Sequence, residues 1–285
     1  MVSVDMRRWV QLGSVFIWNP LLGNFISGNV YRGRLKQICI PALNCYSCPG
    51  AIGSCPLGSL QTVLADPFYI WSSYAAGWLV LFGALLGRWI CGWVCPFGMV
   101  QEWLYRVPVV KLRLPYWLSW VKYLVLLLFV IALPVIGAHT FGLGVPAFCK
   151  YICPAGTLEA GVPLVVVVPG LRLAIGTLFL LKIAILFAVI IFSLMIFRPF
   201  CRVLCPLGAI YGLFNPLSWY NYKHNQELCS DCGTCAHHCR MEVDPARAAN
   251  SPECIRCGEC IGNCPNGALS AGWGFDTNNE AWGHE

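Results

Sequence analysis

Two runs near the C-terminus read Cys229-x2-Cys232-x2-Cys235-x3-Cys239 and Cys254-x2-Cys257-x2-Cys260-x3-Cys264-Pro265. A cubane [4Fe–4S] cluster needs four thiolates converging on four iron corners. A tight loop with two-residue spacers turns three sulfurs inward, and the fourth ligand comes from the other run in two-cluster ferredoxins. The expected sets are therefore Cys229, Cys232, Cys235 and Cys264 for one cluster, and Cys254, Cys257, Cys260 and Cys239 for the other. The competing structure, a pair of zinc knuckles, rarely uses two identical runs of this spacing. Arg240 stands where a proline commonly follows the fourth cysteine, and its charge is expected to tune that cluster rather than remove it.

A second signal is a repeat. Four times a cysteine is followed by proline, one residue and glycine, at Cys55, Cys95, Cys153 and Cys205. In three copies another cysteine stands four residues earlier, at Cys91, Cys149 and Cys201. Cysteines four apart lie about one helical turn apart, so both sulfurs can point the same way. Cys91, Cys95, Cys201 and Cys205 fall in equivalent halves of the repeat and together supply four thiolates, enough for one cluster. The bland alternative is that they pack as small hydrophobes, as free cysteines do. Repetition with proline and glycine argues for a shaped ligand turn.

The remaining six are Cys39, Cys45, Cys48, Cys55, Cys149 and Cys153. Two arrangements compete. The first four could hold a cluster alone. Alternatively, Cys149 and Cys153 join two of them and leave one extra pair, a disulfide if that face is oxidising. His139, at the end of a proposed helix, could exchange protons with a quinol, although such a residue more often caps or snorkels. Glu102 and Glu159 follow cysteine turns at similar offsets and are expected at the interface, with proton relay as the functional alternative. His237 and His238 are expected to be solvated. The sequence contains no Cys-x-x-Cys-His, Walker A loop or dinucleotide fingerprint, so covalent c-type haem and those nucleotide sites are not indicated.

These residues need elements to position them. Crossing a bilayer takes about 20 apolar residues. Phe68–Ile90, Pro115–Ala138 and Leu171–Phe197 satisfy this. Val10–Ile26 is interrupted by Asn19-Pro20 and by Asn24, but the repeat requires it as a fourth span. Val162–Val168 is too short to cross and is expected at the interface or packed under the loop. The fold expected is an α-helical membrane protein of four transmembrane helices in a tandem repeat, residues 1–214. A small bacterial-type two-cluster ferredoxin domain and tail, residues 215–285, completes it. Alternate turns then fall on opposite faces. Arg7, Arg8, Arg88, Arg106, Lys111, Arg113, Arg198, Arg202 and Lys223 mark the face of Cys91 and Cys201 as cytoplasmic. Arg32, Arg34, Lys36, Lys150 and Arg172 fall on the other.

Composition agrees. Of 285 residues, 58% are hydrophobic and only 11% charged, against about 25% charged in soluble domains. The net charge of +6 is scattered, forming no run or face, which argues against nucleic acid. Eighteen cysteines in tight runs, several followed by proline, suit metal ligation better than disulfide staples. No cleavable signal peptide or twin-arginine signal is evident, so the cofactor-bearing tail is expected to assemble in the cytoplasm.

The stretches Cys91-Gly92-Trp93-Val94-Cys95-Pro96 and Cys201-Arg202-Val203-Leu204-Cys205-Pro206, with the tail runs, resemble the membrane polyferredoxin family of the NapH and NosR type. The resemblance extends from the first helix to about Asn266. The cysteine-rich loop Cys39–Cys55 and the Cys149–Cys153 turn depart from the family pattern. The resemblance implies quinol-linked electron transfer to or from partner oxidoreductase subunits at the inner membrane. The chain would act as an electron-transfer subunit, with no substrate chemistry of its own beyond quinol oxidation within a complex. Two tail clusters and one or two membrane clusters are expected, with lipid, and quinone, as further partners. The alternatives are a transmembrane conduit between soluble carriers without a quinone site, or a redox-sensing or assembly protein.

Overall fold

The computed structural model describes residues 4–66, 74–141, 144–173 and 175–274. Helices dominate it. The first, α1 (Val4–Trp18), runs into Asn19-Pro20 and stops. Proline has no N–H to continue the ladder, and Asn19 closes the last turn by donating from both its backbone and side-chain nitrogens to the Val15 carbonyl, at 2.9 and 3.1 Å. The expected span Val10–Ile26 is corrected accordingly: the helix starts earlier and ends at Trp18, and a separate turn covers Asn24–Ser27.

Each Cys-Pro step starts a helix: α2 (Pro56–Leu64), α5 (Pro96–Tyr105), α7 (Pro154–Val167) and α10 (Pro206–Phe214). Between them lie α3 (Tyr74–Leu86), α4 (Trp89–Trp93), α6 (Tyr116–His139), α8 (Thr177–Met195) and α9 (Pro199–Val203). The expected span 68–90 is divided. Residues 68–73 lie outside the described residues, and α3 ends before Gly87, whose φ of +52° breaks the helix. A Cβ at Gly87 would also meet the Asn215 Oδ1 at 2.5 Å. Of Val162–Val168, the residues to Val167 continue the helix begun at Pro154 as the end of α7. Within α6, a wide turn over Leu126–Ala132 precedes Pro134, and loosened i to i−4 bonding of this kind accommodates an interior proline.

Two helices, α6 with 24 residues and α8 with 19, are long and apolar enough to cross a membrane among the described residues. With 15 and 13 residues, α1 and the described α3 fall short of the ~20 needed. Two of the four expected crossings thus meet the length among the described residues, while α1 stops at Pro20 and the described part of α3 stops before Gly87. On α6 and α8, Leu124, Leu127, Ile136, Leu180, Phe187 and Ile191 face outward. Tyr116, Trp117 and Trp120 are exposed at the start of α6, where aromatic rings anchor at a membrane boundary.

The tail is built on two strands, β1 (Tyr220–His224) and β2 (Leu269–Trp273), paired antiparallel with Tyr220 opposite Trp273. Two short helices, α11 (Thr234–His238) and α12 (Glu259–Gly262), follow the cysteine loops. Its two halves repeat each other in backbone detail. Asp231 and Arg256, Gly233 and Gly258, and Glu242 and Gly267 are three equivalent pairs, and all six residues have positive φ. The two loops thus take the same left-handed kinks at the same offsets from their cysteines.

Buried ion pairs fasten the tail to the helices. Arg88, before α4, donates to the Glu253 carboxylate at 2.9 Å and to the Pro252 carbonyl at 2.6 Å. Lys122 of α6 pairs with the same carboxylate. Arg88 and Lys122 have no exposed surface. Burial disfavours the charge of Glu253, but the two cations outweigh it and hold its carboxyl below the usual range. Removing one partner of a buried pair costs about 3–5 kcal/mol. The Glu253→Leu variant is therefore expected to release the tail to limited proteolysis and lower its unfolding temperature. Because the folded pKa lies below the unfolded value near 4.3, this stabilisation is complete above that value. It is lost only as the pH falls through the lowered folded pKa, which a pH series of the same proteolysis measures.

Candidate metal centres

The Cys-Pro turns share one local geometry. Cys55, Cys95, Cys153 and Cys205 occupy the N-cap, with proline in the first helical turn. Proline suits that position because its missing N–H has no intrahelical role there. A sulfur at an N-terminus meets free N–H groups and the positive end of the helix dipole, but in these four turns burial outweighs that and raises the thiol pKa. Cys153 and Cys205 each accept from the N–H of the glycine three residues on, at 3.4 Å.

One set gathers at the tail side. Cys91, Cys95, Cys201 and Cys205 are all buried and within electrostatic reach of one another. Two arginines, each three residues before a cysteine turn, cross between the halves. Arg88 donates to the Cys201 carbonyl at 3.2 Å, and Arg198 to the Cys91 carbonyl at 2.5 Å. Gly98, in the turn of Cys95, makes room for the opposite arginine, whereas a Cβ at Gly208, in the turn of Cys205, would be crowded by the Cys201 carbonyl oxygen at 3.0 Å and meet its arginine at ordinary contact distance. A Cβ at Gly98 would sit 3.0 Å from the Arg198 guanidinium, and one at Gly208 would sit 3.5 Å from that of Arg88.

The second set bears on the two arrangements that the spacing leaves open. Cys45 and Cys55 group with Cys149 and Cys153. Cys39 instead bonds the Ser54 and Ser59 hydroxyls, and Cys48 bonds Asn19. The four grouped sulfurs border a cavity of about 820 Å³ that also meets Lys36, Thr62, Tyr74, Leu164 and Lys182. Here the turn glycines approach sulfur: a Cβ at Gly156 would lie 3.4 Å from the Cys45 Sγ, and one at Gly58 would lie 3.8 Å from that of Cys149.

In the tail, Cys239, Cys254, Cys257 and Cys260 form one group. Cys229, Cys232, Cys235 and Cys264 line a separate cavity of about 470 Å³ on the outer side. Arg240, 44% exposed at its side chain, places its charge 3.3 Å from the Glu259 carboxylate.

Other expected site residues fall differently. Glu102 is not interfacial. It is buried between Arg7, at 3.0 Å, and Arg198, at 2.7 Å. Burial opposes its charge, yet the two guanidiniums outweigh that and hold its carboxyl below the usual range. Glu159 turns inward and accepts from the Cys45 N–H at 2.7 Å. His139, His237 and His238 are exposed. Arg7, Arg88, Arg198 and Arg202 are buried, so four charges counted toward the cytoplasmic face serve internal pairing.

Sequence reasoning missed Gln61, Gln101 and Tyr211, although a signal was present. Each stands six residues after a Cys-Pro cysteine, on the inner face of the helix that turn begins. Tyr211, fully buried, donates to the Pro41 carbonyl at 2.8 Å. It lies within electrostatic reach of Cys91 and Cys95 on one side and Cys55 on the other. Both helical sets therefore share one core.

The donor sets fit cubane clusters. Among the described residues, no three of His, Cys, Asp and Glu converge on one metal ion. A mononuclear zinc site draws its sulfurs to ~2.3 Å from one centre, whereas a cubane takes each thiolate on a separate iron. Burial, then the nearby Glu159 charge, pushes the Cys45 thiol up to about 12. Beside the other set, the Nε atoms of Arg88 and Arg198 are buried without a hydrogen-bond partner. They add positive charge where an anionic cluster would sit.

Three stretches of the chain, residues 68–115, 123–167 and 178–220, match the 4Fe-4S binding domain family. Each of them contains one of the paired cysteine turns. An uncharacterized protein of Methanocaldococcus jannaschii is 32% identical over 69% of this chain and 77% of its own length. The ferredoxin-type protein NapH of Haemophilus influenzae is 25% identical over 96% of this chain and 91% of its own. The chain belongs to the NapH/NosR-type ferredoxin-like family. The regulatory protein NosR of Stutzerimonas stutzeri is 30% identical over 70% of the chain, which spans about a quarter (26%) of NosR. No solved structure matches significantly. Membership assigns the chain to iron–sulfur electron transfer.

The groupings are tested by anaerobic iron and sulfide analysis of single serine variants. Cys45→Ser and Cys149→Ser are expected to lose the same share, about four irons, and Cys91→Ser and Cys201→Ser a different four. Cys39→Ser and Cys48→Ser are expected to keep the full complement. Equal loss from Cys39→Ser and Cys45→Ser would place Cys39 in the ligand set.

Proposed function

We propose that this chain is a membrane-embedded electron carrier with four [4Fe–4S] sites in series. They are held by Cys45, Cys55, Cys149 and Cys153; by Cys91, Cys95, Cys201 and Cys205; by Cys239, Cys254, Cys257 and Cys260; and by Cys229, Cys232, Cys235 and Cys264. When bound, such clusters supply one-electron carriers whose potentials follow charge, hydrogen bonding and exposure.

One observation carries this reading. The turn holding Cys91 and Cys95 packs directly on the loop holding Cys254 and Cys257. A Cβ at Gly92 would meet the Ile255 carbonyl at 2.2 Å, so only glycine permits the approach. Next to it, Trp93 donates its indole N–H to the Arg256 carbonyl at 2.9 Å. Gln11 and Ser14 of α1 fix the same turn by bonding the Gly92 and Val94 carbonyls at 2.8 and 3.0 Å. Tyr211 fills the space between the two helical sites. At the far end, Cys232 is exposed, which suits exchange with a partner oxidoreductase.

The quinone pool is the proposed donor or acceptor at the inner end. The cavity of about 820 Å³ bordered by Cys45, Cys55, Cys149 and Cys153 would hold the cluster at its sulfur-lined end, and the quinol ring would take the remaining, mostly apolar part toward Tyr74 and Leu164. A quinol oxidised there would lose two electrons, one at a time, into the chain, and two protons to water at the cavity mouth. Lipid would cover the outward faces of α6 and α8.

Anaerobic protein mixed with a menaquinol analogue is expected to show reduced tail clusters by EPR, and Cys91→Ser to leave them oxidised. Gly92→Leu should keep its iron but slow tail reduction at least about tenfold, as the handover contact opens. Tail reduction at the wild-type rate in Cys91→Ser would overturn the series. Reduction by a soluble donor but never by quinol would leave the conduit without its quinone site.

A further inference from the structure

The two helical cysteine sets are alike in a way that no cysteine spacing reveals. Gln61 and Gln101 each stand six residues after a Cys-Pro cysteine, on α2 and α5, and each is buried with 0–1% exposure. The Gln61 Oε1 accepts from the Phe148 N–H at 2.9 Å, and its Nε2 donates to the Cys149 Sγ at 3.2 Å. The Gln101 Oε1 accepts from the Phe200 N–H at 3.1 Å, and its Nε2 donates to the Cys201 Sγ at 3.1 Å. The backbone N–H can only donate, so the amide oxygen must face it and the NH2 group must face sulfur. In each case the bond crosses from the first half of the repeat to the first cysteine of a turn in the second.

We propose that Gln61 and Gln101 are paired positioning residues that set the reduction potentials of the two helical clusters, each by an N–H···S bond to one thiolate ligand. This rests on the cluster reading of those cysteines. A donor aimed at a ligating sulfur stabilises the more negative, reduced state and raises the potential. Clamping the neighbouring backbone N–H fixes the direction of that donor. The equivalent positions in the second half do not repeat the contact. Glu159 accepts from the Cys45 N–H, and Tyr211 donates to the Pro41 carbonyl. Each site therefore has one glutamine, always supplied by the first half.

The test is redox-titrated EPR on anaerobic full-length protein in which Gln61 or Gln101 is replaced, one at a time, by Leu, Met or Glu. The leucine variants are expected to shift one helical signal downward by about tenfold in its reduction equilibrium, ~59 mV for one electron. Position 61 should move one signal and position 101 the other, with the tail signals unmoved. Glutamate keeps the acceptor for the Phe148 or Phe200 N–H but sets a carboxylate beside the ligating sulfur, which lowers the midpoint by its own charge. Methionine, neutral and of similar volume, removes the donor without that charge and carries the measurement if the leucine variants lose iron. At a tuning position both neutral variants lower the midpoint, and glutamate lowers it further. Native iron content with unmoved midpoints in both methionine variants would overturn the role of the glutamines. Wild-type protein holding only about eight irons would instead overturn the cluster reading beneath it.

Discussion

An anion inside an apolar core must be matched by a cation that is itself buried, and much of this fold follows from that requirement. Four cysteines converge between α4, α5, α9 and α10, and two arginines from opposite halves cross to flank them. Neither arginine reaches solvent. An unpaired buried charge costs several kcal/mol, so each guanidinium needs both an acid and a carbonyl. Glu102 serves Arg198, and Glu253 serves Arg88. The crossing makes the two halves of the repeat one unit.

The same arginine joins two levels of organisation. Arg88 holds the Cys201 carbonyl with one nitrogen and the tail at Pro252 and Glu253 with another. A shift of the tail therefore pulls on the turn that carries Cys201. Gly92 acts at the same junction from the other side, by having no side chain where the Ile255 carbonyl approaches. Electrostatics holds the surfaces together, and a missing Cβ sets how near they come. Electron transfer weakens steeply with separation, so closeness at this one contact matters more to the proposed function than the overall strength of docking.

The halves are related but not equivalent. Both give Cys-Pro turns that start helices, yet the sixth residue after the cysteine is Gln, Gln, Glu and Tyr in chain order. The two glutamines reach sulfur, whereas Glu159 and Tyr211 reach backbone. Charge differs as well. Arginines flank the site near the tail, while the other has Glu159, Lys36 and Lys182 and an open cavity beside it. Similar ligand turns thus sit in distinct electrostatic settings, which is how one repeated motif can hold carriers of unequal potential.

What the sequence determined by itself was local. The x2, x2, x3 runs, the four Cys-Pro-x-Gly turns and the apolar lengths of α6 and α8 were legible, because loop spacing, helix caps and hydropathy depend on neighbours in the chain. Which of Cys39, Cys45, Cys48 and Cys55 meet Cys149 and Cys153 was not. That choice depends on the path of a long loop, and on Ser54, Ser59 and Asn19 taking up two of the sulfurs. The buried roles of Arg88, Arg198 and Glu102 were hidden for the same reason: a charge near a helix end reads as solvated until its partner, 95 or more residues away, is known. The helices α1 and α3 end where Pro20 and Gly87 act, and the Gly87 break is enforced by Asn215 from the edge of the tail. Tertiary contact alone decided these points, since hydrogen bonds and ion pairs between distant segments leave no period in the sequence.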